Sequence, residues 1–368
     1  MVLPTPPELT PEKEPVLRVH PPHNFPRILP RGLVPLVEFT VVNGVTHGLF
    51  IALLALIGII AWIYYHGFWY VNAAIVVAYM PTYFNGASDK VLPSQGSLNW
   101  DAIRTHRFWH IVQRHFRLEC VRVNRLNRTN RYFFGLHSNT STSRSGSLSR
   151  CGGMWAALFP DHPTRTLVST PYFYIPFLRD LLLWLGCVEA TEGVAHEALH
   201  NGVSLLQCLY DVRIDQREAM DRTNDAFLVV DPQSQLSLTF VRIAMMHGVS
   251  LVPVLALDTS HRDNSTPTSH WSALLPRCLV QLIEVYSSVD RVRTRPKANV
   301  VVVFGSPIPV WIPHQEPIFC PQLRPHRRWR QVERNAHPSQ DEVQEVHAVY
   351  VEHLRDLFVA CQRLHQES

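Results

Sequence analysis

The residues best placed to do chemistry are one histidine and the run that follows it. The aromatic stretch Arg131-Tyr132-Phe133-Phe134-Gly135-Leu136 leads to His137, and a hydroxyl-rich run from Ser138 through Asn139 and Arg144 to Gly146 comes next. Residues 131–135 read as a buried strand. A strand that delivers an imidazole into a polar turn presents a general base, because histidine titrates near neutrality and can accept the proton of a hydroxyl. A second pattern, His196-Glu197-Ala198-Leu199-His200, fits His-Glu-x-x-His, which on a long helix sets two imidazoles on one face for zinc. Asn201-Gly202 ends this helix at once and no third ligand follows at a suitable spacing. Two exposed histidines on an amphipathic helix is the preferred reading, and no metal site is expected. Cys151-Gly152-Gly153 is too short to cradle a phosphate. The seven cysteines are scattered without a Cys-x-x-Cys pair, so they suggest small core residues rather than a disulfide framework or a zinc site.

The elements that must hold His137 follow from periodicity. Strands are expected at residues 131–135, 165–169, 203–208 and 226–230, and helices at 177–185, 193–200 and 238–247. Runs 250–257 and 300–304 are continuous apolar runs rich in strand formers, typical of strands covered on both faces. This alternation argues for an α/β domain over residues 89–361, with a central, mostly parallel sheet flanked by helices. Residues 138–149 read as a flexible loop. Residues 311–337, with Arg324, Arg327, Arg328 and Arg330, read as a basic surface insertion. The last helix is the clearest. Ser339 and Glu342 form a capping box, and Val343, Val346, Tyr350, Leu354, Leu357, Phe358 and Cys361 share one face. It reads as a docking helix with a structural role.

The chain ahead of this domain is of a different kind. Hydrophobic residues make up 46% of the protein and charged residues only 17%, which points to a membrane. Residues 1–38 are rich in proline and read as a disordered cytosolic tail without a signal peptide. From residue 39 to residue 88 there is no Asp, Glu, Lys or Arg. One span needs about 20 apolar residues, so this stretch accommodates a hairpin of two helices, spanning or re-entrant, broken at His66-Gly67. Tyr64, Tyr65, Trp69 and Tyr70 suit interfacial anchors, and basic residues flank both ends but not the turn, which places both ends in the cytosol. Residues 101–121, with aromatics and Arg104, Arg107, Arg114 and Arg117, read as an interfacial amphipathic segment. The net charge of +4 is mild and its arginines are scattered, so a lipid bilayer is the expected partner and nucleic acid is not.

Taken in order, these pieces resemble the type 2 diacylglycerol acyltransferase family, which includes the monoacylglycerol and wax-alcohol acyltransferases. The hairpin is followed by Phe133-Phe134-Gly135-Leu136-His137. Next come Ile175-Pro176-Phe177-Leu178-Arg179-Asp180 with Leu185-Gly186, then Met246-His247-Gly248 with Leu251-Val252-Pro253-Val254. Phe304-Gly305-Ser306-Pro307 follows, and Pro338-Ser339 with Glu342, His347, Tyr350 and Leu354 closes the series. The resemblance covers roughly residues 40–361 and implies an integral membrane enzyme of the endoplasmic reticulum and lipid droplets. Such an enzyme transfers an acyl group from acyl-CoA to an acylglycerol or long-chain alcohol. Acyl-CoA is then a substrate, no metal or bound cofactor is implied, and association into a homo-oligomer is left open.

The resemblance also marks departures. The family's His-Pro-His-Gly stands here as His137-Ser138-Asn139-Thr140, so the first histidine is kept and the second is Asn139. His137 is then the general base and Asn139 an oxyanion donor. The family's Pro-Gly-Gly-Glu falls at Leu209-Tyr210-Asp211-Val212, and its Arg-Lys-Gly-Phe at Ser237-Leu238-Thr239-Phe240. Arg144 and Arg242 remain as cations for the CoA phosphates. A catalytically silent homologue that binds lipid or regulates an active partner is the alternative expectation.

Overall fold

A computed structural model describes residues 16–22, 34–92, 97, 100–138, 143–209, 212–216, 226–230, 235–258, 299–309 and 338–366. The basic run 311–337, residues 139–142 with Asn139, and most of the proline-rich tail lie outside the described residues.

In chain order the elements are β1 (Leu17–Val19), α1 (Val34–Tyr65), α2 (Trp69–Phe84), α3 (Asp101–Arg104), α4 (Phe108–His115), β2 (Glu119–Arg122) and β3 (Tyr132–Ser138). A 3-10 segment, Ser143–Arg150, leads to α5 (Met154–Leu158), β4 (Thr164–Val168), a second 3-10 turn at Thr170–Tyr174, α6 (Leu178–Trp184), β5 (Cys187–Glu189) and α7 (Glu192–His200). Then come β6 (Ser204–Leu209), β7 (Val212–Gln216), β8 (Ala226–Val230), α8 (Gln235–His247), β9 (Ser250–Asp258), β10 (Val300–Phe304) and a last helix, α9 (Gln340–Gln366).

Eight strands form one sheet in the order β1-β2-β10-β9-β3-β6-β4-β5. From β9 to β5 every pairing is parallel, while β10 pairs antiparallel with β9 and β1 with β2. Strands β7 and β8 make a separate antiparallel pair. The parallel core needs crossovers, and α7 and α8 supply them on one face. Phe133, Leu205, Leu209 and Leu251 point to that face and pack against α7, α8 and α9. Phe134, Leu136, Leu206, Val252 and Val254 point to the other face and meet Trp109, Val112, Trp155 and Phe159. The two side-chain sets alternate residue by residue, as a pleated strand buried on both faces requires.

Four expectations need correction. Leu17–Val19 is a strand, although the tail was expected to be disordered. It lies at the sheet edge, where pairing on one side suffices and flanking prolines cost nothing. The apolar face of residues 101–121 is turned into the core. They fold into α3, α4 and the start of β2, with Trp109, Val112, Phe116 and Leu118 buried in the core. The hydroxyl-rich run is not a loop throughout. Ser138 ends β3, and the 3-10 segment packs on the sheet with Ser149 and Arg150 buried. Arg150 stacks over Trp155 at 4.8 Å and donates from Nε to Thr166 Oγ1 at 3.3 Å. Burial, and secondarily Arg104, lowers its pKa to about 10.

The fourth correction concerns the hairpin. Helices α1 and α2 are present and turn at Gly67, whose φ of +79° is open to glycine at little cost. Trp62, Tyr64, Tyr65, Trp69 and Val77 are all more than 60% exposed, with Tyr65 at 86%. Among the described residues, however, no helix is long and apolar enough to cross a membrane. The base of the hairpin is fastened to the domain. Tyr79 Oη donates to Asp180 Oδ2 at 2.6 Å, buried Arg179 donates to Asn85 Oδ1 at 3.0 Å, and Arg179 stacks over Tyr83 at 5.3 Å.

Helix α9 behaves as its spacing predicts. Val343, Val346 and Tyr350 enter the core under α8, and Leu354, Leu357, Phe358 and Cys361 cover β9, β10 and Val121. Its capping box is formed reciprocally: Ser339 N donates to Glu342 Oε2 at 2.9 Å and Glu342 N to Ser339 Oγ at 3.3 Å. We expect Ser339→Ala to cost about 1 kcal/mol, a drop in the unfolding midpoint of a few degrees. A heat-denaturation series on the two proteins checks it.

Candidate active site

His137 lies on β3 rather than in a turn after it. The strand continues to Ser138, so the imidazole is held by the sheet and is fully buried. Its neighbours in register are Leu209 of β6 and Leu255 of β9. Both strands run parallel to β3, so His137 sits at the carboxyl ends of the central strands, where open α/β sheets generally place their ligands.

The imidazole has one well-defined partner that sequence reasoning missed. His137 Nε2 lies 2.8 Å from Tyr350 Oη, and the two rings are 5.6 Å apart. Tyr350 comes from α9 and is also fully buried. Its hydroxyl is 3.5 Å from the Gly135 carbonyl oxygen, to which it donates. Phe240 of α8 stacks edge-on against Tyr350 at 5.5 Å and against Phe133 at 4.4 Å. The helix was read as a docking element alone. The available signal was a phenol within its otherwise apolar face, since a buried tyrosine hydroxyl needs a partner.

The approach of Tyr350 depends on Gly135. A Cβ at this position would collide with the Tyr350 hydroxyl and lie 3.0 Å from Phe240 Cζ. Gly135 is therefore glycine because α9 descends onto it.

A cleft of ≈ 330 Å³ opens on the same side of the sheet. Leu167 and Ala190 line it from the strand ends, Thr191 and Glu192 from the start of α7, Gln207 from β6, and Thr239 and Ile243 from α8. Gln207 registers with Gly135, two residues before the Leu209–His137 pair. Its side chain therefore projects to the same face as His137, from the adjacent strand.

The remaining candidates scatter. Asn139 lies outside the described residues, and the backbone of Arg144 lies in the 3-10 segment with its side chain likewise outside them. Arg242 is ion-paired with Glu192 at the cleft rim, with both side chains half-exposed, so it is not the unpaired cation expected. An exposed pair of this kind is worth about 0–1 kcal/mol. The structure does not bring Arg242 into contact with His137. In the His-Glu-x-x-His segment, His196 Nδ1 faces His247 Nε2 of α8 rather than His200. Among the described residues, no group of three or more His, Cys, Asp or Glu is placed to hold a metal. The buried cysteines Cys151 and Cys187 have thiol pKa values raised to about 12 by desolvation, which keeps them protonated and poor nucleophiles.

Comparison with known proteins agrees with this geometry. The family model described as "Diacylglycerol acyltransferase" matches residues 63–367. The chain is 23% identical to 2-acylglycerol O-acyltransferase 1 of Bos taurus, covering 82% of this chain and 84% of that protein. It is 24% identical to 2-acylglycerol O-acyltransferase 3 of Homo sapiens over 72% of this chain and 74% of that one. Against acyl-CoA wax alcohol acyltransferase 2 of Mus musculus it is 21% identical, over 74% and 78% respectively. With a family match running from the end of α1 through α9, the chain belongs to the diacylglycerol acyltransferase family.

Proposed function

We propose that this protein is a membrane-bound O-acyltransferase that moves the acyl group of acyl-CoA onto the free hydroxyl of a diacylglycerol-like acceptor in neutral-lipid synthesis. The observation that carries the reading is His137, held at the carboxyl end of a central strand by Tyr350 within a chain of this family. Relatives whose names denote acylglycerol and wax-alcohol acyltransferases support the acceptor class.

The chemistry follows from the hydrogen bonds. Tyr350 Oη donates to the Gly135 carbonyl, and on that basis we assign His137 the tautomer that donates Nε2–H to Tyr350 Oη. In this tautomer Nδ1 is the basic nitrogen. It takes the acceptor's proton as the hydroxyl oxygen attacks the thioester carbonyl. The tetrahedral oxyanion then collapses, the C–S bond breaks, and the CoA thiolate recovers the proton from the imidazolium. Asn139 is assigned as a donor to the oxyanion, and Arg144 and Arg242 as contacts to the CoA phosphates. Arg242 would exchange Glu192 for phosphate when CoA arrives. No metal or bound cofactor takes part in this scheme.

The hairpin supplies the lipid side. Its exposed side chains include Ile51, Ile57, Trp62, Tyr65, Trp69 and Val77, and a cluster of large exposed apolar groups suits a lipid contact. We place it in the bilayer as a re-entrant pair, in the endoplasmic reticulum membrane and on lipid droplets, with both chain ends cytosolic.

One observation favours a second reading, a catalytically silent homologue that binds lipid or regulates an active partner. His137 has no exposed surface, and the His-Pro-His-Gly turn of the family is replaced after it. In that case the His137–Tyr350 bond only secures α9.

Microsomes bearing the protein, given labelled oleoyl-CoA and diacylglycerol, decide between them. Triacylglycerol should form, and His137→Ala should lower kcat/KM by about 10²–10⁴-fold. No product above the His137→Ala background overturns the enzyme reading. Tyr350→Phe, which removes the hydroxyl that bonds both His137 and the Gly135 carbonyl, should lower the rate by about 10–100-fold with little change in fold. Gly135→Ala should reproduce that loss and also destabilise by about 1–3 kcal/mol through overpacking. Unchanged turnover in Tyr350→Phe would show that the phenol does not orient the base.

A further inference from the structure

Gln207 occupies a position that the fold alone does not account for. It lies on β6 between Leu205 and Leu209, both fully buried. Its neighbours in register are Gly135 of β3 and Leu167 of β4, neither of which has a side chain that can hydrogen-bond. The side chain is only 6% exposed. Among the described residues no polar group bonds its carboxamide, which instead forms part of the cleft wall. The carboxamide is not among the side-chain groups fully enclosed without a partner; it opens to the cleft, where a ligand can bond it.

The cleft restricts what could bond that amide. Leu167, Ala190 and Ile243 make its walls largely apolar, and Thr191 and Thr239 add hydroxyl-bearing side chains. The Glu192 carboxylate stands at its rim, already paired with Arg242. Among the described residues that line the cleft there is no lysine or arginine, and the rim cation Arg242 is held by Glu192, so a phosphate inside the cleft must displace a carboxylate to reach it. A neutral ligand with both a donor and an acceptor fits better. A carboxamide presents an acceptor oxygen and two N–H donors side by side. A free hydroxyl next to an ester carbonyl complements them: the hydroxyl donates to Oε1, and the ester oxygen accepts from Nε2.

We propose that Gln207 reads the acyl acceptor, binding the hydroxyl-and-ester end of an acylglycerol in the cleft between β4, β6, α7 and α8. The choice of ligand rests on the acyltransferase reading above; the binding itself does not require turnover. The position is consistent with that reaction, because Gln207 lies one strand from His137 on the same face of the sheet. A simple long-chain alcohol offers the hydroxyl without the ester, so Gln207 is a determinant of specificity for acylglycerols over alcohols.

The test uses the full chain in detergent micelles, in a His137→Ala background so that nothing turns over. Binding of labelled 1,2-dioleoylglycerol, hexadecanol and phosphatidate is measured for the parent and for Gln207→Leu. Gln207→Met, which keeps the length of the side chain, serves as the second variant. Both should weaken dioleoylglycerol binding about 10-fold and change hexadecanol by less than about 3-fold. Phosphatidate should bind more weakly than dioleoylglycerol in the parent. Without lipid, Gln207→Leu should melt at the same temperature or about 2–4 °C higher, because an unbonded amide has been removed. Unchanged dioleoylglycerol affinity in both variants overturns the proposal. So does an equal loss for hexadecanol, or a lowered melting temperature with affinity intact, which would mark an amide serving the fold. The two readings can fail separately. Gln207-dependent binding without product from the wild-type protein sinks the enzyme reading and leaves this one. Product formation with the acceptor KM unmoved by Gln207→Leu does the reverse.

Discussion

The arrangement of this domain depends on how closely α9 approaches β3 at Gly135. Only a residue without a Cβ leaves room for the Tyr350 hydroxyl there. That clearance brings a phenol from the last helix to within 2.8 Å of an imidazole on a central strand, 213 residues earlier in the chain. The same approach stacks Phe240 between Phe133 and Tyr350, so β3, α8 and α9 meet in one aromatic layer. Interiors at native packing density transmit small displacements. The orientation of His137 is therefore set by how the last helix docks, and the docking of that helix is set in turn by its capping box and its apolar face.

The sheet gives this layer a direction. Five parallel strands bring their carboxyl ends to one edge, and His137, Leu167, Glu189 and Leu209 all lie near it. The cleft opens at the same edge. The hairpin is held by Tyr79–Asp180 and Arg179–Asn85 at its base, and just after it Ser88 O accepts from Glu189 N of β5 at 3.0 Å, at the same carboxyl edge. The two side-chain bonds join α2 to the turn that starts α6, and they account for Arg179 and Asp180 within Ile175-Pro176-Phe177-Leu178-Arg179-Asp180. Arg179 is nearly fully buried, so its contact with Tyr83 and Asn85 is sheltered from solvent and outweighs a surface pair of the same kind.

Much of this was legible in the sequence. The apolar runs at residues 250–257 and 300–304, the capping box of α9 and the break at His66-Gly67 all appear where local chemistry puts them, because each is decided within one turn or one strand. What was not legible depends on contacts distant in the chain. Tyr350 looked like one more core residue on an apolar face. Nothing local distinguishes a phenol that bonds an imidazole on β3 from one that bonds a backbone carbonyl. Residues 101–121 carried an interfacial pattern, yet Trp109 and Val112 found the far face of the sheet, and tertiary packing decided the outcome. Arg242 was counted as a free cation because its partner Glu192 lies 50 residues earlier. Gln207 stood unremarked in a strand of leucines, although a single amide in such a run is itself a signal.

The buried polar groups on this face of the sheet are what separate a working site from an inert scaffold. His137, Tyr350 and Gln207 project toward one side, in a layer otherwise built of Phe133, Leu205, Leu209 and Phe240. A scaffold kept only for its shape would be more stable with apolar side chains at these points, since each buried polar group must recover its lost hydration. His137 and Tyr350 recover it from one another. Gln207 turns its amide to a cleft lined by Leu167, Ala190 and Ile243, with Thr191, Thr239 and Glu192 as its other polar side chains. A pair satisfied internally beside an amide left for a ligand is the arrangement expected where a base must stay oriented while its substrate comes and goes. The loss of the second histidine at Asn139 alters the loop after β3, but the strand, the phenol and the amide that define this face remain in register.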